Sequence, residues 1–417
     1  MALLVQKFGG TSVADPDRIR EVADHVVRCR RRGDAVVLVV SAMGKETDEL
    51  LRLADLVSST KPGRELDMLI TGGERKACAL VSMALHDLGV EADSFTGSQA
   101  GFVTDTTHRN AKILEVRPER IRAALEAGRV PVVGGSQGVS TDNDVTFFGR
   151  GGSDTTAVAL AHALGADACE LYTDVPGVFT TDPRLVADAQ RMDRISFDEL
   201  LEMTATGCPK PAMRSVELAR NQGVKLHVRS AFSWVPGTWV TGEEPMEKAI
   251  ISAVTHDTSE AKLTVTGVRD RPGVAASLFR TLADADVNVD MIVQNVSAEG
   301  HTDISFTLPH EEVDIATAAI GGLIGDDGTG GDLGADGFMA DDGSARVSLI
   351  GAGMQTNPGV AATMFETLSD AGINIEMIST SAIRISCVVR EAQVEQAVEA
   401  LHAAFELHLP PEERVGV

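Results

Sequence analysis

Aromatic residues are scarce in this 417-residue chain, with one tyrosine, two tryptophans and 4% of the total. The 43% of hydrophobic residues nevertheless exclude disorder of the whole chain. Positive charge is also short: 37 Lys and Arg face 61 Asp and Glu, a formal charge of −24. Such a chain repels phosphodiester backbones, which argues against general nucleic-acid binding. A small anionic substrate is still compatible, because a local cluster of Lys, Arg and backbone N–H groups can hold one. Cysteines number five and stand at 29, 78, 169, 208 and 387, without a C-x-x-C spacing. That pattern gives neither a disulfide framework nor a zinc site, and reads as reduced thiols in the cytoplasm. The histidines form no H-E-x-x-H pair, so no resident metal is expected. No apolar run approaches the ~18–20 residues of a membrane span. The opening MALLVQKFGG meets Lys7 and a glycine pair too early for a signal peptide.

The length exceeds what one core usually serves, so two or more domains are expected. Through the first half, short β-branched runs (3–8, 35–43, 131–139, 168–175) alternate with helical patterns (17–32, 48–57, 74–88, 118–126, 155–164). This alternation predicts a mostly parallel sheet with helices on both faces. The basic cluster at 28–32 suits a helix C-terminus and needs no binding role. Gly, Pro and charges at 240–247 mark a linker. Beyond it, residues 271–292 and 357–378 share 13 of 22 identities at an offset of 86, an internal duplication. Each copy reads as strand, Pro-Gly turn, amphipathic helix, Asn turn and strand, giving two βαββαβ units. The Gly- and Asp-rich stretch 321–343 between them reads as a mobile acidic loop and matches no calcium-site spacing.

Four segments carry chemistry. In QKFGGTS (6–12) a lysine ends a strand, and Gly9 and Gly10 let backbone N–H groups approach phosphate oxygens. Taken alone, it equally fits a plain strand–turn–helix connection. FFGRGGSDTTA (147–157) holds Arg150 among glycines, suited to fork a carboxylate, while Ser153 and Asp154 cap the following helix. ELYTDVPGVFTTDP (170–183) follows a parallel strand, where α/β sheets place ligands. In TGGER (71–75), Glu74 opens a helix, either to complement its dipole or to receive an ammonium group. No G-x-x-x-x-G-K-[ST] occurs, which excludes a P-loop.

These segments, with SAMGKETDEL (41–50), SFTGSQAG (94–101) and the tandem repeat, fall in the order found in aspartate kinases of the amino-acid kinase superfamily. The chain resembles that family along essentially its whole length, and most closely the actinobacterial type regulated by lysine and threonine. The resemblance implies an α/β fold: a three-layer, carbamate-kinase-like catalytic domain over 1–242, then ferredoxin-like ACT domains over 247–345 and 346–417. It implies phosphorylation of the L-aspartate side chain by ATP with Mg2+, the metal held mainly by the nucleotide phosphates. Lys7 and Asp154 are the implied catalytic pair. Thr47, Glu74, Arg150 and Ser153 would bind aspartate. Lys7, Gly9, Gly10, Ser41, Thr173, Asp174, Phe179, Arg184 and Lys210 would contact the nucleotide. Asp270, Asn288 and Gln294 would belong to an effector pocket. A homo-oligomer, or an α2β2 assembly with a regulatory chain started at Met246, is implied as well.

Two departures from the family pattern stand out. Pro209 occupies the place of an expected lysine, displacing Lys210 by one position, which puts nucleotide affinity in question. Ala361 and Ala382 replace polar residues in the second ACT copy. The alternatives these raise are a feedback-relaxed duplicate serving a specialised pathway, or an amino-acid sensor with a weakened kinase.

Overall fold

The computed structural model describes residues 2–242, 250–294, 300–324, 333–352, 354, 357, 359–411 and 413–414. Met246 and residues 325–332, part of the 321–343 stretch that was read as a loop, lie outside them. The chain divides into two compact units: one of 1–179, 191–205 and 209–245, the other of 180–190, 206–208 and 246–417.

Unit 1 opens with β1 (Leu3–Phe8), α1 (Pro16–Arg31), β2 (Ala35–Val40), α2 (Glu46–Val57), α3 (Gly63–Asp87) and β3 (Ala92–Phe95). A short excursion follows, β4 (Phe102–Thr104) and β5 (Ile113–Val116), then α4 (Glu119–Glu126) and β6 (Val130–Gly134). Next come β7 (Gln137–Ser140), β8 (Val145–Phe147), α5 (Gly152–Leu164) and β9 (Ala168–Thr173). The unit closes with β10 (Arg194–Ser196), α6 (Phe197–Ala205), α7 (Met213–Gln222), β11 (Leu226–Ser230) and β12 (Thr238–Thr241). The main sheet runs β10-β12-β11-β9-β1-β2-β6-β3 and is parallel except between β11 and β12.

Burial of Val36 through Val40 on both faces of β2 reflects helices on either side. Phe8, Leu38, Val132 and Tyr172 pack against Val22 and Val26 of α1 and Val81 and Leu85 of α3. Alternation along β1 turns Lys7 to the opposite face, towards α5. This is the expected sandwich, with two local corrections. The run 131–139 is two strands in two sheets, because Ser136 adopts a left-handed φ of 59° and sends β7 into a separate sheet, β5-β4-β7-β8. The helix expected to begin at Glu74 begins at Gly63, so Gly72 and Gly73 lie inside it. A Cβ on Gly73 would stand 2.8 Å from the Ala42 side chain, so the glycine permits α3 to cross close to the end of β2.

Unit 2 contains β13 (Ile250–Asp257), β14 (Glu260–Arg269), α8 (Val274–Asp284), β15 (Ile292–Gln294), β16 (His301–Pro309), α9 (Val313–Ile324) and β17 (Gly337–Asp341). The second copy supplies β18 (Ser344–Ala352), α10 (Gly359–Asp370), β19 (Met377–Thr380), β20 (Arg384–Arg390) and α11 (Val394–Ala404). Residues 321–324 and 337–341, expected in a loop, are thus helix and strand. The two sheets run β15-β16-β14-β17 and β19-β20-β18-β13. β13 therefore fills in the second repeat the edge that β17 fills in the first. The expected boundary, which grouped residues 247–345, places β13 with the wrong repeat, because its antiparallel partner is β18.

The repeats are tied by reciprocal ion pairs: Arg346 of β18 reaches Asp290, and Lys262 of β14 reaches Glu376, the residue at the matching position. Arg346 is fully buried and also pairs with Glu260 at 2.9 Å. Two segments from within the first half join this unit. Val186 enters the core of the second repeat beside Val254, Val347 and Leu401. Thr180 accepts the Val254 N–H at 2.8 Å, and its hydroxyl lies 3.0 Å from buried His402.

Candidate active site

Four neighbouring parallel strands, β9, β1, β2 and β6, end side by side, and their carboxyl ends present Thr173, Lys7, Ser41 and the turn at Gly134–Ser136. This is the edge at which open α/β sheets bind ligands. Lys7 and Asp154, the expected catalytic pair, meet here at 2.6 Å with 5% and 3% of their side chains exposed. Asp154 lies in the first turn of α5; Gly151 occupies the cap position, so neither Asp154 nor Ser153 caps the helix, as the sequence had suggested. Burial alone would raise the Asp154 carboxyl, but the Lys7 ammonium, Lys210 and the Ala212 N–H at 3.1 Å together hold it below the ordinary carboxylate range. The loop carrying Pro209 and Pro211 thus returns to the site, and exposed Lys210 lies close enough to act on Asp154.

Gly9 lies against the Lys7 ammonium, 3.4 Å from where its Cβ would be. At Gly10 a Cβ would stand 2.9 Å from the Ala42 carbonyl, so no other residue lets this turn pack on the end of β2. Ser41, Ser153 and Ser136 form a hydroxyl chain with 2.9 Å links. Ser136 was missed from sequence; the Gly-Gly-Ser break in an apolar run is the signal that could have found it.

Glu74 sits mid-helix on α3, buried, with Oε2 lacking any hydrogen-bond partner. Burial pushes its carboxyl up to about 7; backbone hydrogen bonds oppose this, and the neighbouring Glu46 carboxylate adds to it. Thr47 stands half-buried in the first turn of α2, and Arg150 is exposed in the loop before α5. Thr173 donates to the Val175 carbonyl at 2.9 Å, Asp174 is exposed, and Phe179 bridges to Arg191. Arg184 falls in unit 2, where it pairs with Asp182 at 2.6 Å. Of the residues expected in an effector pocket, Asp270 bonds through its N–H to the Gly300 carbonyl at one end of β16, and Gln294 lies opposite Ile304. Asn288 lies beyond Asp290, which pairs with Thr307, and so sits at the other end of that strand, apart from Asp270.

Behind the sheet, Glu170 accepts from Gln6 at 2.7 Å, Arg229 at 2.9 Å and Tyr172 at 3.0 Å. Burial would raise this carboxyl; His227 at 3.6 Å, Arg229 and Gln6 more than reverse it, to about 2. Among the described residues no group of three His, Cys, Asp or Glu could hold a metal, and no helix is long and apolar enough to cross a membrane.

The amino acid kinase family model matches residues 2–230, and an ACT domain model matches 263–321 and 347–405. Fold and site therefore define a phosphotransferase of the amino acid kinase class joined to a pair of ACT domains. The aspartokinase of Mycobacterium tuberculosis is 54% identical over 413 residues, 98% of this chain and 97% of that protein. That of Corynebacterium glutamicum is 50% identical over 414 residues, with the same coverage of both. The aspartate kinase from Synechocystis matches at a TM-score of 0.54 and 42% identity, over 99% of this chain and 71% of that one. E. coli aspartokinase III in complex with aspartate and ADP shares the fold, at a TM-score of 0.81 and 24% identity over 97% and 100%. The chain belongs to the aspartokinase family, and it is an enzyme.

Proposed function

We propose that this chain transfers the γ-phosphoryl group of ATP to the side-chain carboxylate of L-aspartate, giving 4-phospho-L-aspartate. The observation that carries this reading is the buried Lys7–Asp154 pair at the carboxyl ends of four parallel strands, together with buried Glu74, whose Oε2 has no hydrogen-bond partner. An aspartate carboxylate is already a nucleophile at neutral pH, so the site needs no base. One of its oxygens attacks the γ-phosphorus, the bond to the β-phosphate bridging oxygen breaks, and ADP leaves. Lys7 neutralises the charge on the transferring group, and Asp154 fixes that ammonium in place. Gly9 and Gly10 leave room for the phosphates. Glu74 receives the substrate ammonium, Arg150 clamps a substrate carboxylate, and Thr47 and Ser153 complete the pocket.

Ser41, Thr173, Asp174, Phe179 and Arg184 serve the nucleotide, joined by Lys210, whose proximity to Asp154 supports a nucleotide contact despite Pro209. Magnesium supplies charge neutralisation on the phosphates when bound. The exposed Asp174 carboxylate beside the cradle and the surrounding hydroxyls fit an ion carried in by the nucleotide. Residues 1–242 form the catalytic part, and the two repeats answer to lysine and threonine through pockets that include Asp270, Asn288 and Gln294. We assign the enzyme to the cytoplasm, as a homo-oligomer or an α2β2 assembly with a regulatory chain begun at Met246. Aspartate-dependent hydroxamate formed from ATP in the presence of hydroxylamine tests the activity. An absence of product at saturating ATP, with amino-acid binding retained, would favour the sensor reading raised by Pro209.

A further inference from the structure

Glu46 enters the structure beside Glu74. It opens α2, and its carboxyl carbon would lie 3.6 Å from a Cβ on Gly73, the residue preceding Glu74. Ala42, at the end of β2, touches Gly73 and also hydrogen-bonds the Glu74 carboxylate through its backbone. One oxygen of Glu46 pairs with Lys76 at 2.6 Å. Its other oxygen, Oε2, and Oε2 of Glu74 are both shielded from solvent and without a hydrogen-bond partner. Two buried acceptors, both unpaired and on carboxylates near enough to interact electrostatically, are costly to keep unless a donor arrives. A primary ammonium brings three N–H donors and one positive charge, enough to satisfy both oxygens at once.

We infer that Glu46 is a second carboxylate of the substrate ammonium subsite, acting with Glu74 to select an α-amino acid. This rests on the reading of Glu74 as the ammonium acceptor. Lys76, half-exposed on the neighbouring turn of α3, neutralises Glu46 while the pocket is empty and so keeps the two carboxylates from disrupting each other. Arg75 of the same helix adds a positive charge near Glu74. From β2 comes the Ala42 hydrogen bond, and uncharged Gly134 of β6 packs against Glu74. Burial above all, with the Glu46 charge adding to it, favours the protonated form of Glu74, so the ammonium binds with release of a proton below neutral pH.

The test is steady-state kinetics of the full chain carrying E46Q, with KM for L-aspartate and for ATP measured from pH 6 to 8.5. The expected result is a rise of about 5-fold in KM for aspartate at pH 8.5, the scale of one charge-assisted contact weakened, with KM for ATP and the melting temperature unchanged. The ratio to wild type should narrow as pH falls towards 6, because the Glu46 charge is one of the influences that favour protonation of Glu74. An unchanged KM and pH profile would overturn the inference, as would parallel losses in both KM values with a lowered melting temperature. E74Q separates the two readings. If E74Q raises KM for aspartate and E46Q does not, only the role of Glu46 fails; if E74Q leaves it unchanged, the ammonium subsite itself is misplaced.

Discussion

Replacing Asp154 by Asn keeps the shape of the site and removes the one carboxylate that Lys7 meets at 2.6 Å. At that separation the attraction amounts to about 6 kcal/mol with an effective dielectric near 20, much of it offset by the cost of burying both charges. Removing one partner leaves the ammonium buried and uncompensated, which costs about 3–5 kcal/mol. For a unit of this size the melting temperature should fall by roughly 6–20 °C. Turnover should fall by about 10²–10³, as the cation that meets the phosphoryl group loses its fixed position. Both tryptophans, Trp234 and Trp239, lie in unit 1, so urea unfolding followed by their fluorescence reports on the damaged unit. The decisive measurement is a double-mutant cycle with K7M. The combined variant should recover most of the lost stability while remaining inactive, since no unpaired charge is left. Stability losses of D154N and K7M that simply add, within about 0.5 kcal/mol, would refute the argument.

Glu170 makes the acid limb of stability testable. Its folded value of about 2 lies below the ordinary 4.5, so its contribution of about 3 kcal/mol is present above pH 4.5 and lost as pH falls towards 2. E170Q should therefore lower stability at pH 7 and flatten that limb in pH-dependent urea titrations. R346M should cost up to about 3–5 kcal/mol by stranding the half-buried Glu260, and adding E260Q should restore much of it, both measurable by chemical denaturation. Gly207 has φ of 112°, and a Cβ there would stand 1.7 Å from the His256 carbonyl. G207A should lower the melting temperature of unit 2 in calorimetry by several degrees, the scale of a backbone forced to move.

The meeting of Lys7 with Asp154 was legible because both sit in short motifs whose chemistry is local: a lysine before Gly9 and Gly10, and an acid after a glycine-flanked arginine. Glu74 was singled out from sequence, but its setting was misread. A glycine pair ordinarily punctuates a helix, and only the approach of Ala42 to Gly73 explains its place inside one. The break between β6 and β7 was hidden because both sides of Ser136 are apolar, and a single backbone rotation decides it. No strand was read from the sequence at β13, and local pattern carries no information about which sheet would take one. Its pairing with β18, across nearly a hundred residues, is a long-range choice. Val186 lies in a turn-rich run and gave no sign that its partners are the aliphatic residues of a repeat that begins far downstream.

The path of the backbone between the two units has a consequence for how far they can be treated as modules. Six alternating stretches make up the units, so the chain passes from one to the other five times. A single cut after Gly242 would leave the 180–190 and 206–208 stretches of the second unit on the first fragment. Nor can the repeats be parted between residues 345 and 346, because that cut leaves β13 on the wrong fragment and strips an edge from the second sheet. A chain begun at Met246 keeps β13 but lacks Thr180 and Val186, leaving His402 without its hydroxyl neighbour and the core one aliphatic side chain short. The two units alternate along the chain, so stretches from within its first half are themselves part of the fold of the second unit.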